Sequence, residues 1–262
     1  MNLKIPSNLD PKPISLLTAL NTGGKYRSTI KHRLQLAYTL SLSIYQLHLV
    51  GWVHKSFRSE NIIFFPDVSA PAADDPPRPD AVRDTLIDRH TKKCYTEPWL
   101  FGFEYSRVIS QDSDLASTDT SVAKNIYRHP ERWNAPTHRF GPIHDIYALG
   151  TVLLEIGLWQ PLLSLSESGF ARTAEVDSSA DTAAATSVKE GVKAQLLQYA
   201  AKRLPFTLGR AYCEIVELCL NGVHRGVEGH EGFDVDENDH NALERSFREK
   251  VVDRLAKAVS SA

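Results

Sequence analysis

One stretch, Leu47 to Phe64, constrains the fold more than any other part of the chain. It begins as the end of an apolar helix, turns at Gly51 and presents a polar loop from His54 to Asn61. The chain then enters a β-branched and aromatic run, Ile62 to Phe65, whose composition is typical of a strand. The stretch therefore predicts a helix, a polar loop and a short strand in immediate succession.

That order resembles the catalytic loop of eukaryotic protein kinases, whose pattern is H-R-D-L-K-x-x-N between a helix and a strand. The corresponding residues here are His54, Lys55, Ser56, Phe57, Arg58, Ser59, Glu60 and Asn61. In the family the Asp is the catalytic base, and Ser56 stands in its place, while Arg58 replaces the Lys. Asn61 matches a metal-binding position of the family, but an asparagine that bonds the loop backbone is an equally good explanation. The resemblance implies a degenerate kinase loop without its base.

A second altered motif lies in the segment Pro98-Trp-Leu-Phe-Gly-Phe103. It falls where a kinase has D-F-G, whose Asp holds the metal ion that bridges the nucleotide phosphates. In this alignment Leu100 stands in the Asp position and is followed by Phe101 and Gly102. Magnesium requires oxygen ligands, and leucine offers none. The degenerate D-F-G position, together with Asn61, is thus only a weak candidate for cofactor binding, and no metal site or cofactor is predicted.

Two further motifs follow in the order that the family has them. Tyr127-Arg-His-Pro130-Glu131 resembles the Y-R-A-P-E sequence that closes the kinase activation segment. The family's Glu pairs with a buried Arg on a later segment, for which Arg225 is the candidate here. Pro130 and Glu131 are accordingly expected to be structural.

The second of these motifs, His144 to Glu155, resembles the D-x-W/Y-S-x-G-x-x-L-x-E pattern of the central kinase helix, with Asp145 and Gly150 in place. A helix that is apolar nearly all round belongs in the middle of a domain. In the family the Asp bonds the backbone of the catalytic loop and so holds the loop His, which stacks on the Phe of D-F-G. Asp145, His54 and Phe101 match these positions. The resemblance therefore implies that the internal support of the loop is present although its chemistry is not.

A complete kinase carries, before these elements, a β-rich small lobe with a Gly-rich loop, a strand-borne Lys and a helix-borne Glu. None of the three is recognisable in this sequence, since the pair Gly23-Gly24 fits a helix stop better than a phosphate-covering loop. The expected fold is mainly α: a protein kinase-like C-terminal lobe with a few short β-strands and without the N-terminal β-lobe.

Composition divides the chain into an extended arm at residues 1–13 and one domain at residues 14–262. Two stretches within the domain, at about 66–93 and 164–190, are polar or of low complexity and are predicted to be insertions.

Apolar spacing predicts a long helix from about Ser28 to Val50, capped by Ser28 or Thr29. Further helices are predicted at Val192–Arg203, Thr207–Leu220 and Asn241–Val259.

Charge and cysteine usage exclude several classes of function. The net charge of −2 gives no sign of a nucleic-acid-binding surface, and the longest apolar run, Ile146 to Trp159, is too short and interrupted to span a membrane. The cysteines Cys94, Cys213 and Cys219 form no CxxC pair, and the N-terminus shows no signal-peptide pattern, so a cytoplasmic location is expected. The histidines His129, His138 and His144 lack the spacing of metal ligands, so no zinc site is predicted.

The function implied by the resemblance is that of a catalytically inert kinase-like domain, or pseudokinase, which acts in signalling by binding another protein or domain, possibly across the face of the missing lobe. The strings G-W-V-H-K-S-F-R-S-E-N-I-I-F-F and F-G-F-E-Y-S-R are also similar to kinase-related domains of filamentous fungi. Two alternatives stay open. One is a truncated or weakly active ATP-dependent Ser/Thr kinase using ATP and magnesium, and the other is an unrelated helical protein-binding domain.

Overall fold

The computed structural model of the protein describes residues 11–22, 24–66, 86–88, 94–109, 122–133, 139–165, 182–223, 232–234 and 241–262. In these stretches the protein is mainly helical and has two small sheets. The mainly α class that the sequence predicts is confirmed. Most of the predicted N-terminal arm lies outside the described residues.

The helices are, in chain order, α1 Leu16–Asn21, α2 Ile30–Leu49, α3 Val122–Asn125, α4 Pro142–Leu158, α5 Leu162–Leu165, α6 Thr182–Thr207, α7 Arg210–Asn221, α8 Ala242–Phe247 and α9 Asp253–Ser260. Short 3₁₀ turns lie at Ser59–Asn61, Phe103–Tyr105 and Pro130–Arg132, and a π-helical turn, Arg248–Val252, joins α8 to α9. Among the described helices, none combines the length and apolar character needed to cross a bilayer.

Seven short strands complete the described elements: β1 Ile14–Ser15, β2 Tyr26–Arg27, β3 Trp52–Val53, β4 Ile62–Pro66, β5 Leu86–Asp88, β6 Cys94–Leu100 and β7 Arg107–Val108. Five of them form an antiparallel sheet in the order β1-β4-β6-β5-β2, and β3 pairs separately with β7. Because β4 and β6 pair with Ile62 opposite Leu100, the chain returns to the end of the polar loop.

Helix α2 leads into the polar loop. Thr29 caps its N-terminus, because its side-chain oxygen accepts the backbone N–H of His32 at 3.0 Å. Its apolar residues lie on more than one face, and the helix packs against α4 on one side and α9 on another. After the helix ends, Gly51 takes a left-handed conformation with φ of 75° and turns the chain into β3.

Helix α4 is the centre of the molecule, since 14 of its 17 residues are buried. It packs against α2, α6 and α7. At Gly150 a Cβ atom would lie 2.7 Å from the Cβ of Cys219, so only glycine allows α7 to approach this closely. Gly150 is thus a packing position, and α4 presents its first turn to the polar loop.

Two segments that composition assigned to insertions contribute regular structure instead. Leu86–Asp88, within the predicted insertion at 66–93, is strand β5, and Leu86 is fully buried. Helix α6 begins at Thr182, inside the predicted insertion at 164–190. Local composition did not indicate β5, because this strand is stabilised by pairing with β2 and β6.

Candidate functional site

One buried carboxylate holds the backbone at the start of the polar loop, His54–Asn61. Asp145, in the first turn of α4, is fully buried and accepts the backbone N–H groups of His54 at 2.7 Å and Lys55 at 2.9 Å. Nε2 of His48, in the last turn of α2, lies 3.2 Å from the same carboxylate. A buried charge requires such partners because water cannot reach it. The contact expected between Asp145 and the loop backbone is present, whereas no sequence pattern indicated the part that His48 plays.

The bonds to Asp145 hold the loop in a strained conformation. Lys55 has a φ of 65°, in the left-handed region, which costs a non-glycine residue roughly 1–2 kcal/mol. Such a conformation persists only where its surroundings fix it. Here Asp145 fixes it through the N–H groups of Lys55 and of the preceding residue, His54.

The ring of His54 is completely buried between two phenylalanines. Its centroid lies 5.9 Å from that of Phe57 and 4.7 Å from that of Phe103, both edge-on. The pKa of His54 is lowered mainly by burial, against the opposing effect of Asp145 and the Phe101 backbone, so the imidazole is neutral at pH 7. The expectation that the Phe101 ring meets His54 is corrected, because the ring in contact belongs to Phe103.

The ring that the resemblance assigned to Phe101 is thus supplied two residues later in the chain. Leu100 ends strand β6 and packs against the core, and the backbone N–H of Phe101 bonds to Asn61 O at 2.8 Å. Gly102 immediately precedes Phe103 and has a φ of 89°. A Cβ at Gly102 would collide with Nδ2 of Asn61, so there is no room for a side chain while Asn61 keeps its place. The residue before the aromatic ring therefore offers no metal ligand at all.

Asn61 is used to close the polar loop. Its Nδ2 donates to the backbone oxygen of Ser56 at 2.7 Å and lies 3.1 Å from Ser56 Oγ. The backbone bond that the sequence offered as one explanation of Asn61 is therefore present. Ser56 itself is buried and uncharged, so the centre of the loop presents neither a base nor a carboxylate.

A second buried carboxylate supports the other end of the loop. Glu155 of α4 accepts the hydroxyl of Tyr127 at 2.9 Å and the N–H of Leu162 at 3.0 Å, and the Tyr127 oxygen lies 2.8 Å from Ser59 Oγ. Burial raises the pKa of Glu155 to about 7 and also raises the pKa of Tyr127. Sequence reasoning included both residues in motifs but did not link them, since they lie 28 positions apart.

A cavity of about 360 Å³ opens beside the loop. Its basic side chains are Lys55, Arg58, Arg107, Lys124, Arg128 and Arg132, and its acidic ones are Glu104 and Asp145. Asp145 bonds the loop backbone, and Arg58 also pairs with the exposed Glu60 at 3.0 Å. The described lining therefore favours negatively charged groups and lacks the set of carboxylates that a magnesium ion prefers.

Glu131 lies beside two histidines. Its Oε2 is 3.7 Å from Nδ1 of His129 and 4.0 Å from Nε2 of His144, and one ligand atom from each residue lies within 4.8 Å of the others. No zinc site was predicted from the sequence, because the histidines of this region lack the spacing of metal ligands. The proximity arises in three dimensions, where the turn that begins at Pro130 places Glu131 against the start of α4.

Pro130 is the buried first residue of that 3₁₀ turn, which fits its expected structural role. Two of the side chains beside Glu131 are those of His129 and His144. Arg225, its expected partner, lies outside the described residues, as does His138.

The chain matches no protein-family model, and no curated protein shows significant similarity to it. Its function is therefore inferred from the geometry of the loop and its surroundings.

Proposed function

We propose that this chain is a kinase-like C-terminal lobe that is catalytically inert and acts in signalling as a protein-interaction module. The observation that carries the proposal is the contact of Asp145 with the backbone of His54 and Lys55. It holds a strained polar loop in the way that the resemblance implies, while the loop itself contains only the uncharged Ser56 and Asn61 at the positions assigned to chemistry.

Inertness follows from what phosphoryl transfer requires. A positioned base contributes roughly 10²–10⁴ in rate, and the metal ions that neutralise the phosphates must be held by oxygen ligands. Ser56 has no basic group, and Gly102 has no side chain. Either feature by itself predicts slow phosphoryl transfer, so their combination favours a role in binding another protein over a role in catalysis.

An exposed apolar patch beside the loop supports the interaction role. It consists of Val50, Trp52, Phe103, Tyr105 and Ile109, all large apolar side chains exposed to solvent. The patch is held together by the β3–β7 ladder, in which Trp52 pairs with Val108, and by the bond from Ile109 N–H to Gly51 O at 2.7 Å. Clustered exposed apolar groups mark binding surfaces. In the proposal, a second protein or domain covers this patch where a complete kinase has its small lobe.

The proposal also places the protein in the cytoplasm. Cys213 and Cys219 are buried free thiols, which fits a reducing compartment.

Nucleotide binding tests the proposal that the protein is catalytically inert. Thermal unfolding is measured with ATP, with ATP plus magnesium, and with tripolyphosphate plus magnesium. The cationic cavity accounts for a shift that all polyphosphates share, so only a magnesium-dependent shift specific to ATP counts as nucleotide binding. The proposal expects none. A specific shift, or phosphate transfer to a protein substrate, would favour the truncated-kinase alternative instead.

The apolar patch is tested by proximity labelling with the full chain in its source cells. The double variant V50K/W52K should lose proteins that the wild type labels, because two charges now interrupt the patch. F206K is the matched control, since Phe206 is 88% exposed and lies on helix α6, outside the patch. Equal labelling by all three proteins would contradict the interaction role of this surface.

A further inference from the structure

One nitrogen at the start of α4 lacks a partner in a place where it needs one. Nε2 of His144 is buried and makes no hydrogen bond among the described residues, and the whole side chain is only 5% exposed. A polar atom in this position destabilises a protein unless another group or a bound ligand satisfies it. The nearest charged group is the carboxylate of Glu131, at 4.0 Å, which is too far for a hydrogen bond.

The other ring nitrogen of His144 is already oriented. Nδ1 accepts the backbone N–H of Gly141 at 2.8 Å and lies 3.1 Å from the carbonyl oxygen of the same residue. Binding of a metal ion at Nε2 requires the other tautomer, in which Nδ1 carries the proton and donates to that carbonyl while Nε2 presents a lone pair. A histidine whose second nitrogen donates to a backbone carbonyl is the usual arrangement for a metal ligand.

From this geometry we propose that His129, Glu131 and His144 form a binding site for zinc. Two imidazoles and one carboxylate suit zinc far better than magnesium or calcium, which prefer oxygen ligands only. Ligand atoms around tetrahedral zinc lie about 3.3 Å apart, given metal–ligand distances of about 2.0–2.1 Å. The separations from Glu131 are 3.7 and 4.0 Å, and all three ligand atoms lie within 4.8 Å of one another, so the cluster must contract around the ion. In that contraction Nδ1 of His129 gives up the backbone N–H of Glu131, which it accepts at 3.3 Å.

Glu131 and His129 are the two ligands that must move toward the ion. His144 is fixed by α4 and by Gly141, whereas the side chain of Glu131 is 31% exposed and therefore accessible to an entering ion. His129 and His144 also line the cationic cavity, so the fourth zinc position is open to water or to an anionic group there. Zinc would join the turn at Pro130 to the first turn of the central helix. This site does not depend on the proposed kinase-like function.

Metal binding is measured on the full chain after removal of metals with a chelator. Zinc is titrated in competition with a chromophoric chelator, and cobalt is used as a spectroscopic substitute whose visible absorption reports four-coordination. The wild type should bind one zinc per chain at this site. E131Q and H129Q should each weaken binding by at least about tenfold, since loss of even an outer contact to a metal site weakens affinity by about 10–100-fold.

E104Q is the control, because Glu104 lines the same cavity but lies outside the cluster of His129, Glu131 and His144. The zinc affinity of the E104Q protein should stay within about twofold of the wild-type value. H144Q tests the buried ligand directly. If that variant does not fold, E131Q and H129Q decide the question, because neither removes a buried anchor of α4. Failure of the wild type to compete with the chelator, or zinc affinity unchanged in E131Q and H129Q, overturns the proposal.

Discussion

The two sides of the polar loop differ in chemical content. Below it, α4 supplies the buried carboxylates Asp145 and Glu155, each bonded to at least two donors. Ser56, within the loop, and Gly102, beside it, are small and uncharged. Acidic groups are thus present where they hold the backbone and absent at these two positions. The difference shows that the support of this loop and the chemistry of its centre are supplied by separate parts of the chain.

The largest effect is expected at Asp145. D145A leaves the N–H groups of His54 and Lys55 without their acceptor in a buried site, and it should lower the free energy of unfolding by about 3–5 kcal/mol. Urea unfolding monitored by circular dichroism measures this. D253A is the matched control, because Asp253 is 48% exposed in a loose pair with Arg248, and should change stability by less than about 0.5 kcal/mol. Similar values for the two variants would show that the loop does not depend on its support.

Glu155 makes the free energy of unfolding dependent on pH. Its pKa is raised from 4.5 to about 7, mainly by burial, so the folded protein binds this proton more tightly than the unfolded chain does. The corresponding stability is complete below about pH 4.5 and is lost as the pH rises through 7, by on the order of 3 kcal/mol. E155Q keeps a neutral side chain at every pH and should remove this loss. Stability curves from pH 4 to 8 compare the two proteins, and parallel curves would contradict the assignment.

Substitution of Gly102 tests whether a side chain fits beside Asn61. G102A should destabilise the protein by about 2 kcal/mol, because alanine is strained at a φ of 89° and its Cβ meets the Asn61 amide. In the background N61A the clash partner is gone, and about 1 kcal/mol of backbone strain should remain. A double-mutant cycle in urea separates the two contributions. If G102A is neutral, the site is more open than its geometry indicates.

The smallest effect is expected at Ser56. S56A removes one oxygen that lies 3.1 Å from Asn61 Nδ2, and should change the free energy of unfolding by at most about 1 kcal/mol. Under the proposed function, S56D should confer no kinase activity, because Gly102, which lies in the place of the metal ligand in that proposal, still lacks a side chain. Unfolding and radioactive phosphate transfer are the measurements. Activity in S56D would show that the missing base alone separates this chain from an enzyme.

Much of the scaffold was predictable from local pattern. The period of the apolar residues gave α2 to within a few residues, and Thr29 is a strong cap by residue type. Helix α4 was expected from the resemblance of His144 to Glu155 to a central helix that is apolar nearly all round. The altered loop could also be found, because its polar residues stand between a helix and a strand. Strand β5 was missed, since its three residues are stabilised by partners from other parts of the chain.

By itself, the sequence determined which elements flank the loop and that the uncharged Ser56 stands at its centre, because side-chain chemistry and hydrophobic period are local properties. Only the tertiary structure decided that Phe103 and not Phe101 meets His54, that Asn61 occupies the space beside Gly102, and that Glu131 lies between two histidines. Those facts depend on strand pairing and on the approach of distant segments to α4. Contacts of this kind are set by packing of the whole domain, and no spacing along the chain encodes them.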